Sequence, residues 1–144
     1  MTAVDTNILV YAHREEMPLH EAAETCVRRL AESSAVWAIP WPCLHEFLAV
    51  VTNSRVFRIP SPMDAAVSQV EAWLGSPSVV LIGETEVHWT VLKQNLTVAS
   101  VTGGLTHDAR IAALCQQHGV STLYSVDRDF SRFPGLRTVN PLRV

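Results

Sequence analysis

Short apolar runs alternate with longer amphipathic segments along the whole chain. Thr2 to Asp5 predicts a strand at the very start, and Asn7 to His13, apolar on one side, a short helix. Leu19, Ala22, Ala23, Cys26, Val27 and Leu30 recur at helical spacing, so Pro18 to Ser34 predicts a longer helix with its proline in the first turn. Val36 to Ile39 predicts a strand. Pro42 opens a helix reaching Asn53 through Cys43, Leu44, Phe47, Leu48 and Val51. In Ser61-Pro62-Met63-Asp64 the order N-cap, first-turn proline, first-turn acid predicts a helix start, with the end near Leu74-Gly75. Val79 to Ile82 is a strand, Glu84 to Val98 a helix, and Thr106 to His118 another, capped by Gly119. Thr122 to Ser125 and Leu136 to Val139 predict the last strands. Apolar strands alternating with helices mean a parallel sheet covered on both faces. The predicted fold is α/β, one three-layer domain over residues 1–144, with any ligand site beyond the carboxyl ends of the strands where strand order reverses.

Composition narrows the chemistry. The chain has 144 residues, 48% of them hydrophobic and 17% charged, which excludes a disordered or low-complexity chain. Lys93 is the only lysine beside ten arginines, so there is no phosphate-loop lysine. The longest apolar run, Val36 to Leu44, is broken by Pro40 and Pro42, far short of a membrane span. Cys26, Cys43 and Cys115 are scattered and odd in number, as expected of buried thiols in a reducing compartment. With an acid at Asp5 where a signal peptide needs apolar residues, a cytoplasmic protein is expected.

Five aspartates are few enough to read one at a time. Asp5 follows the first strand; alone it reads as a helix N-cap. Asp127 and Asp129 follow the strand ending near Ser125, and alone they read as turn chemistry. Asp108 stands in the first turn of its helix, where an acid usually serves the macrodipole. Glu46 is stranger, because it sits in a helix that is apolar nearly all round. Together these acids fall at one edge of one sheet. Uncompensated, they would repel one another and raise their own pKa values. A divalent cation relieves that repulsion, and hard oxygen donors without a His or Cys cluster favour Mg²⁺, with Mn²⁺ as a substitute, over zinc.

These residues resemble the PIN domain nuclease family, and within it the VapC-type toxins of bacterial toxin–antitoxin pairs. The resemblance rests on Val4-Asp5-Thr6-Asn7-Ile8-Leu9-Val10-Tyr11-Ala12, Glu46-Phe47, Asp108-Ala109-Arg110-Ile111-Ala112-Ala113-Leu114 and Ser125-Val126-Asp127-Arg128-Asp129-Phe130, with Phe133-Pro134-Gly135-Leu136 and Asn140-Pro141-Leu142 in the tail. It implies a metal-dependent endoribonuclease held inactive by a cognate VapB-type antitoxin. Carried over by position, Asp5, Glu46, Asp108 and Asp127 match the acidic quartet, Asp129 an additional acid, and Ser125 a small hydroxyl residue beside the site. The expected arrangement puts a first Mg²⁺ on Asp5 and Asp108, with Glu46 and Asp127 completing it directly or through water. The resemblance also suggests a homodimer and a toxin–antitoxin hetero-oligomer, with an antitoxin groove along the Pro18–Ser34 and Pro42–Asn53 helices.

An RNA substrate needs phosphate contacts. Residues 1–72 balance at −4 and residues 73–144 at +1, so Arg110, Arg128, Arg132, Arg137 and Arg143 are candidates for a rim. Asn7, Ser125, Arg110 and Arg128 are the candidate substrate contacts; His107 reads mainly as surface. Trp37 and Trp41 could stack on bases, but core packing is the plainer reading. Three rival readings remain: a phosphohydrolase or receiver-like domain with Asp5 as nucleophile, which lacks a nearby second acid and a well-placed lysine; a PIN-type metal nuclease in RNA processing or on DNA, outside a toxin pair; and a catalytically inactive RNA- or protein-binding module.

Overall fold

The computed structural model describes residues 1–143. In chain order it contains strand β1 (Thr2–Val4), helices α1 (Thr6–His13) and α2 (His20–Glu32), strand β2 (Trp37–Pro40), helices α3 (Trp41–Val51) and α4 (Met63–Leu74), strand β3 (Val79–Ile82), helices α5 (His88–Val98) and α6 (Leu105–Gln117), strand β4 (Thr122–Tyr124), a 3₁₀ helix (Arg128–Arg132) and strand β5 (Arg137–Val139). The strands form one five-stranded sheet in the order β3-β2-β1-β4-β5. Every pairing is parallel, with Ala3 beside both Ala38 and Leu123. Neighbouring residues of a strand point to opposite faces. Ala3 and Val4 in β1, and Trp37, Ala38 and Ile39 in β2, are all fully buried, so helices cover both faces and the three-layer expectation holds.

From β1 the chain moves outward to β2 and β3, then returns to lay β4 and β5 on the other side. Strand order therefore reverses between β1 and β4, and their carboxyl ends open a crevice. The Asp5 N–H donates to the Tyr124 carbonyl at 2.9 Å, which carries the pairing of β1 and β4 one residue further, to the lip of that crevice.

Several boundaries differ from expectation for local reasons. The α5 helix begins at His88 rather than Glu84. Residues 84–85 are held elsewhere: Glu84 pairs with Arg110, and Thr85 donates to the Gln117 side chain through both its N–H and its hydroxyl. Ser61 does not cap α4; Pro62 occupies the cap position, and the Ser61 hydroxyl bonds His13 and Arg14 instead. Gly119 follows α6 with φ 71°, the left-handed conformation expected of a glycine there. Among the described residues no helix is long and apolar enough to cross a membrane.

Candidate active site

A cleft of about 800 Å³ opens at the carboxyl end of the sheet, lined among others by Asp5, Asn7, Glu46, Asp108 and Asp127. Four elements supply these groups. Asp5 caps α1 from the end of β1, Glu46 projects from α3, Asp108 stands in the first turn of α6, and Asp127 caps the 3₁₀ helix after β4.

Asp5 is the buried member, 6% exposed, and it is held by four donors. The Thr6 N–H reaches Oδ1 at 2.8 Å, the Ser125 hydroxyl reaches Oδ2 at 2.7 Å, the Asn7 amide reaches Oδ2 at 3.4 Å, and the Cys43 thiol faces Oδ1 at 3.7 Å. Burial pushes its pKa up, and the bonds from Ser125, Thr6 and Cys43 oppose that shift. Ser125 does more than donate: its oxygen accepts the Asp127 N–H at 3.0 Å and the Asn7 amide at 3.3 Å. Asn7 in turn accepts the Val126 N–H at 3.3 Å. Loop 125–127 is thereby locked to the start of α1, and the spacing of Asp127 from Asp5 is set by hydrogen bonds. Thr6 donates to Glu46 at 3.0 Å and ties α3 to the same point.

One oxygen each from Asp108, Asp127 and Asp129 lies within 4.8 Å of the others. Asp108 has a pKa raised to about 6, first by burial, then by the charges of Asp127, Asp5, Asp129 and Glu46. The five predicted acids thus act on one electrostatic locus. Crowded hard-oxygen donors, with neither imidazole nor thiol among the three, fit a hard divalent cation. This set shares Asp108 with the expected first pair. Asp108 belongs to the set with Asp127 and Asp129, while Asp5 and Glu46 line the adjoining wall.

A PIN domain family model matches residues 2–136. The chain belongs to the PIN domain family. Ribonuclease VapC48 of Mycobacterium tuberculosis is 32% identical over 137 residues, covering 95% of this chain and 94% of that protein. VapC ribonuclease Mb2897 of Mycobacterium bovis is 35% identical over 142 residues, covering 99% and 96%. Among solved structures, M. tuberculosis VapC20, described as a sarcin–ricin loop cleaving toxin, superposes with TM-score 0.67 at 22% identity, covering 95% of this chain and 99% of that one. VapBC2 from Rickettsia felis bound to a promoter DNA fragment gives 0.68 at 20% identity, covering 96% of each chain.

In this PIN domain the other predicted contacts fall unevenly. Ser125 is 2% exposed and lies behind Asp5, not in the cleft, because its hydroxyl is consumed by Asp5 and the Asp127 backbone. Arg110 lines the cleft while bonded to Glu84 at 2.7 and 2.9 Å. Arg128 is exposed on the 3₁₀ helix and does not border the cleft; Arg132, Arg137 and Arg143 are exposed as well. His107 does line the cleft. The two tryptophans separate: Trp37 is fully buried core, whereas Trp41 is 43% exposed. Of the expected antitoxin groove, α3 contributes Glu46, Ala49 and Val50 to this cleft, but α2 lines a second depression with Cys26 and Arg29.

The far wall of the cleft was not anticipated. Val10 and Tyr11 come from α1, and Val56 and Phe57 from the connection between α3 and α4. Arg14 pins that connection: its guanidinium donates to Ser61 at 3.0 Å and to the Ile59 carbonyl at 2.7 Å, and sits 4.2 Å over the Phe57 ring. Helical spacing places Val10 and Tyr11 three and four residues after Asn7, on the same face, so that part was available from the sequence.

Proposed function

We propose that this PIN domain is the toxin of a VapBC-type pair: a Mg²⁺-dependent endoribonuclease, with Mn²⁺ as substitute, acting in the cytoplasm and neutralised by a cognate VapB-type antitoxin. The observation that carries this reading is the gathering of five acids from four elements at the reversal point of the sheet, in a chain whose VapC relatives match it end to end. Asp108, Asp127 and Asp129 would hold the ion, with Asp5 and Glu46 completing the negative locus. Bound there, the ion would polarise the scissile phosphate and lower the pKa of an attacking water, leaving 5′-phosphate and 3′-hydroxyl ends. The residues of the chain supply orientation. Ser125, Thr6 and Asn7 hold the Asp5 carboxylate in one rotamer, and Ser125 ties it to the Asp127 backbone. Arg110, at the cleft wall, would turn its guanidinium from Glu84 to a substrate phosphate.

The apolar wall of Val10, Tyr11, Val56 and Phe57 beside the acids suits a partner segment with apolar side chains and an arginine that replaces the cation's charge. The protein would work as a homodimer and within a toxin–antitoxin hetero-oligomer. The test is to incubate purified protein with total RNA, with and without Mg²⁺ or Mn²⁺, and to map the new ends. Metal-dependent internal cuts that Asp5→Asn abolishes, with an unchanged circular dichroism spectrum, are expected. Full activity in Asp5→Asn, or in excess EDTA, would overturn the proposal.

A further inference from the structure

We propose that Trp41 and His45 form a nucleobase platform at the rim of the cleft, gripping an unpaired base next to the phosphodiester that is cut. This rests on the RNA reading above. Trp41 opens α3 and His45 follows one turn later; both rings are exposed, with centroids 6.0 Å apart and planes 36° apart. His45 lines the same cleft as the carboxylates and the next residue is Glu46; Trp41 stands outside the lining and adjoins the cleft through the His45 ring. Trp41 is not loose surface. Gly83 lies so close that an added Cβ would stand 3.3 Å from the indole Cδ1, so one edge of the ring is seated on backbone while much of the rest meets solvent. A seated, exposed indole is already ordered, so stacking on it costs little side-chain entropy.

Charge favours a base at this point over a phosphate. Glu46, which follows His45 and lines the same cleft, repels anions there, whereas a base is neutral and offers a flat π-face. The cationic contact is placed separately: Arg110, on the cleft wall, bonds Glu84, the residue after Gly83. A strand of RNA with its phosphate at the acids therefore meets aromatic surface on one side and a guanidinium near it. Stacking on an aromatic side chain contributes enough that its loss lowers affinity about 5- to 160-fold.

The experiment compares Trp41→Ala, His45→Ala and Trp41→Phe with the wild-type protein on a randomised pool of single-stranded RNA 12-mers in Mg²⁺, followed by mapping of cut sites. An oligonucleotide carrying the preferred cut is then made with an abasic ribose on either side of the bond. Trp41→Ala should lower kcat/KM about tenfold, mainly through KM, and flatten the base preference at one flanking position, while Trp41→Phe keeps most of both. The abasic substrate should cost the wild-type protein as much as the alanine change does, and cost Trp41→Ala nothing further. Trp89→Ala, which removes an exposed indole carried on α5 with no ring contact to His45, should change neither. Equal rates and preferences in Trp41→Ala overturn the platform, as does a variant altered only in capture of a partner protein. Equal losses on abasic and intact RNA would mark Trp41 as structural and also overturn it. A wild-type protein that cuts no RNA overturns the nuclease reading, and the platform with it.

Discussion

Replacing Asp108 by Asn removes one charge from a crowded cluster and should stabilise the metal-free protein while destroying its activity. In the folded protein Asp108 has a pKa of about 6, against an ordinary value of 3.8. The folded state therefore keeps a proton that the unfolded chain releases between those two values. Stability falls as pH rises from 3.8 to 6, and the full penalty stands above pH 6. Two pKa units would correspond to roughly 3 kcal/mol for a fully buried group. Asp108 is only half-buried, and solvent screening brings the figure to about 1 kcal/mol. For a domain of this size that is a gain in Tm of about 3–4 °C. The assay is thermal unfolding in excess EDTA at several pH values, wild type against Asp108→Asn. The variant should melt higher at pH 7.5, and the gain should vanish near pH 4, where both forms are neutral at this position. A variant equally stable at both pH values, or less stable at pH 7.5, would refute the view that these carboxylates repel one another across one locus.

The same repulsion sets the metal response. Added Mg²⁺ should raise Tm at pH 7.5 and much less at pH 5, because protons on Asp108 compete with the ion; titration calorimetry at the two pH values checks this independently. Ser125→Ala removes a bond to a buried carboxylate and leaves the Asp127 N–H without its acceptor. The expected cost is about 2–3 kcal/mol, or roughly 6–12 °C in Tm, seen by denaturant and thermal unfolding, with a loss of cleavage larger than that from an exposed-site control. Arg14→Ala frees the connection between α3 and α4 from Ser61, Ile59 and Phe57. Amide exchange over residues 53–61 should quicken about tenfold, while exchange in β1 and β4 stays slow.

Much of this protein is legible in the sequence because its signals are local. Strands of a parallel sheet read as continuous apolar runs, so Val36 to Ile39 and Val79 to Ile82 could be placed, although only β2 is buried on both faces and the edge strand β3 leaves Val80 exposed. Five acids in an α/β chain could be assigned to one edge, since in such folds the segments after strands and the first turns of helices that return toward the sheet share a side. Boundaries decided by distant partners were not legible. Nothing around Glu84 announces that Arg110 and Gln117 will hold residues 84–85 out of α5, and nothing in Ser61-Pro62 announces that the serine will be taken by His13 and Arg14.

The division at the site follows the same physics. The sequence by itself determined which residues carry the charge, because an acid ending an apolar strand or standing in an apolar helix breaks the local pattern, although Glu46 proves to be exposed on its helix. Only the tertiary structure decided how those charges are arranged. It placed Asp129 with Asp108 and Asp127, sank Asp5 behind four donors, turned Ser125 from substrate contact into the tie between Asp5 and Asp127, and separated Trp37 in the core from Trp41 at the surface. Composition and spacing specify chemistry along the chain. Hydrogen-bond partners 118 to 120 residues apart, such as Asn7 and Asp5 with Ser125, exist only once the strand order brings β4 beside β1.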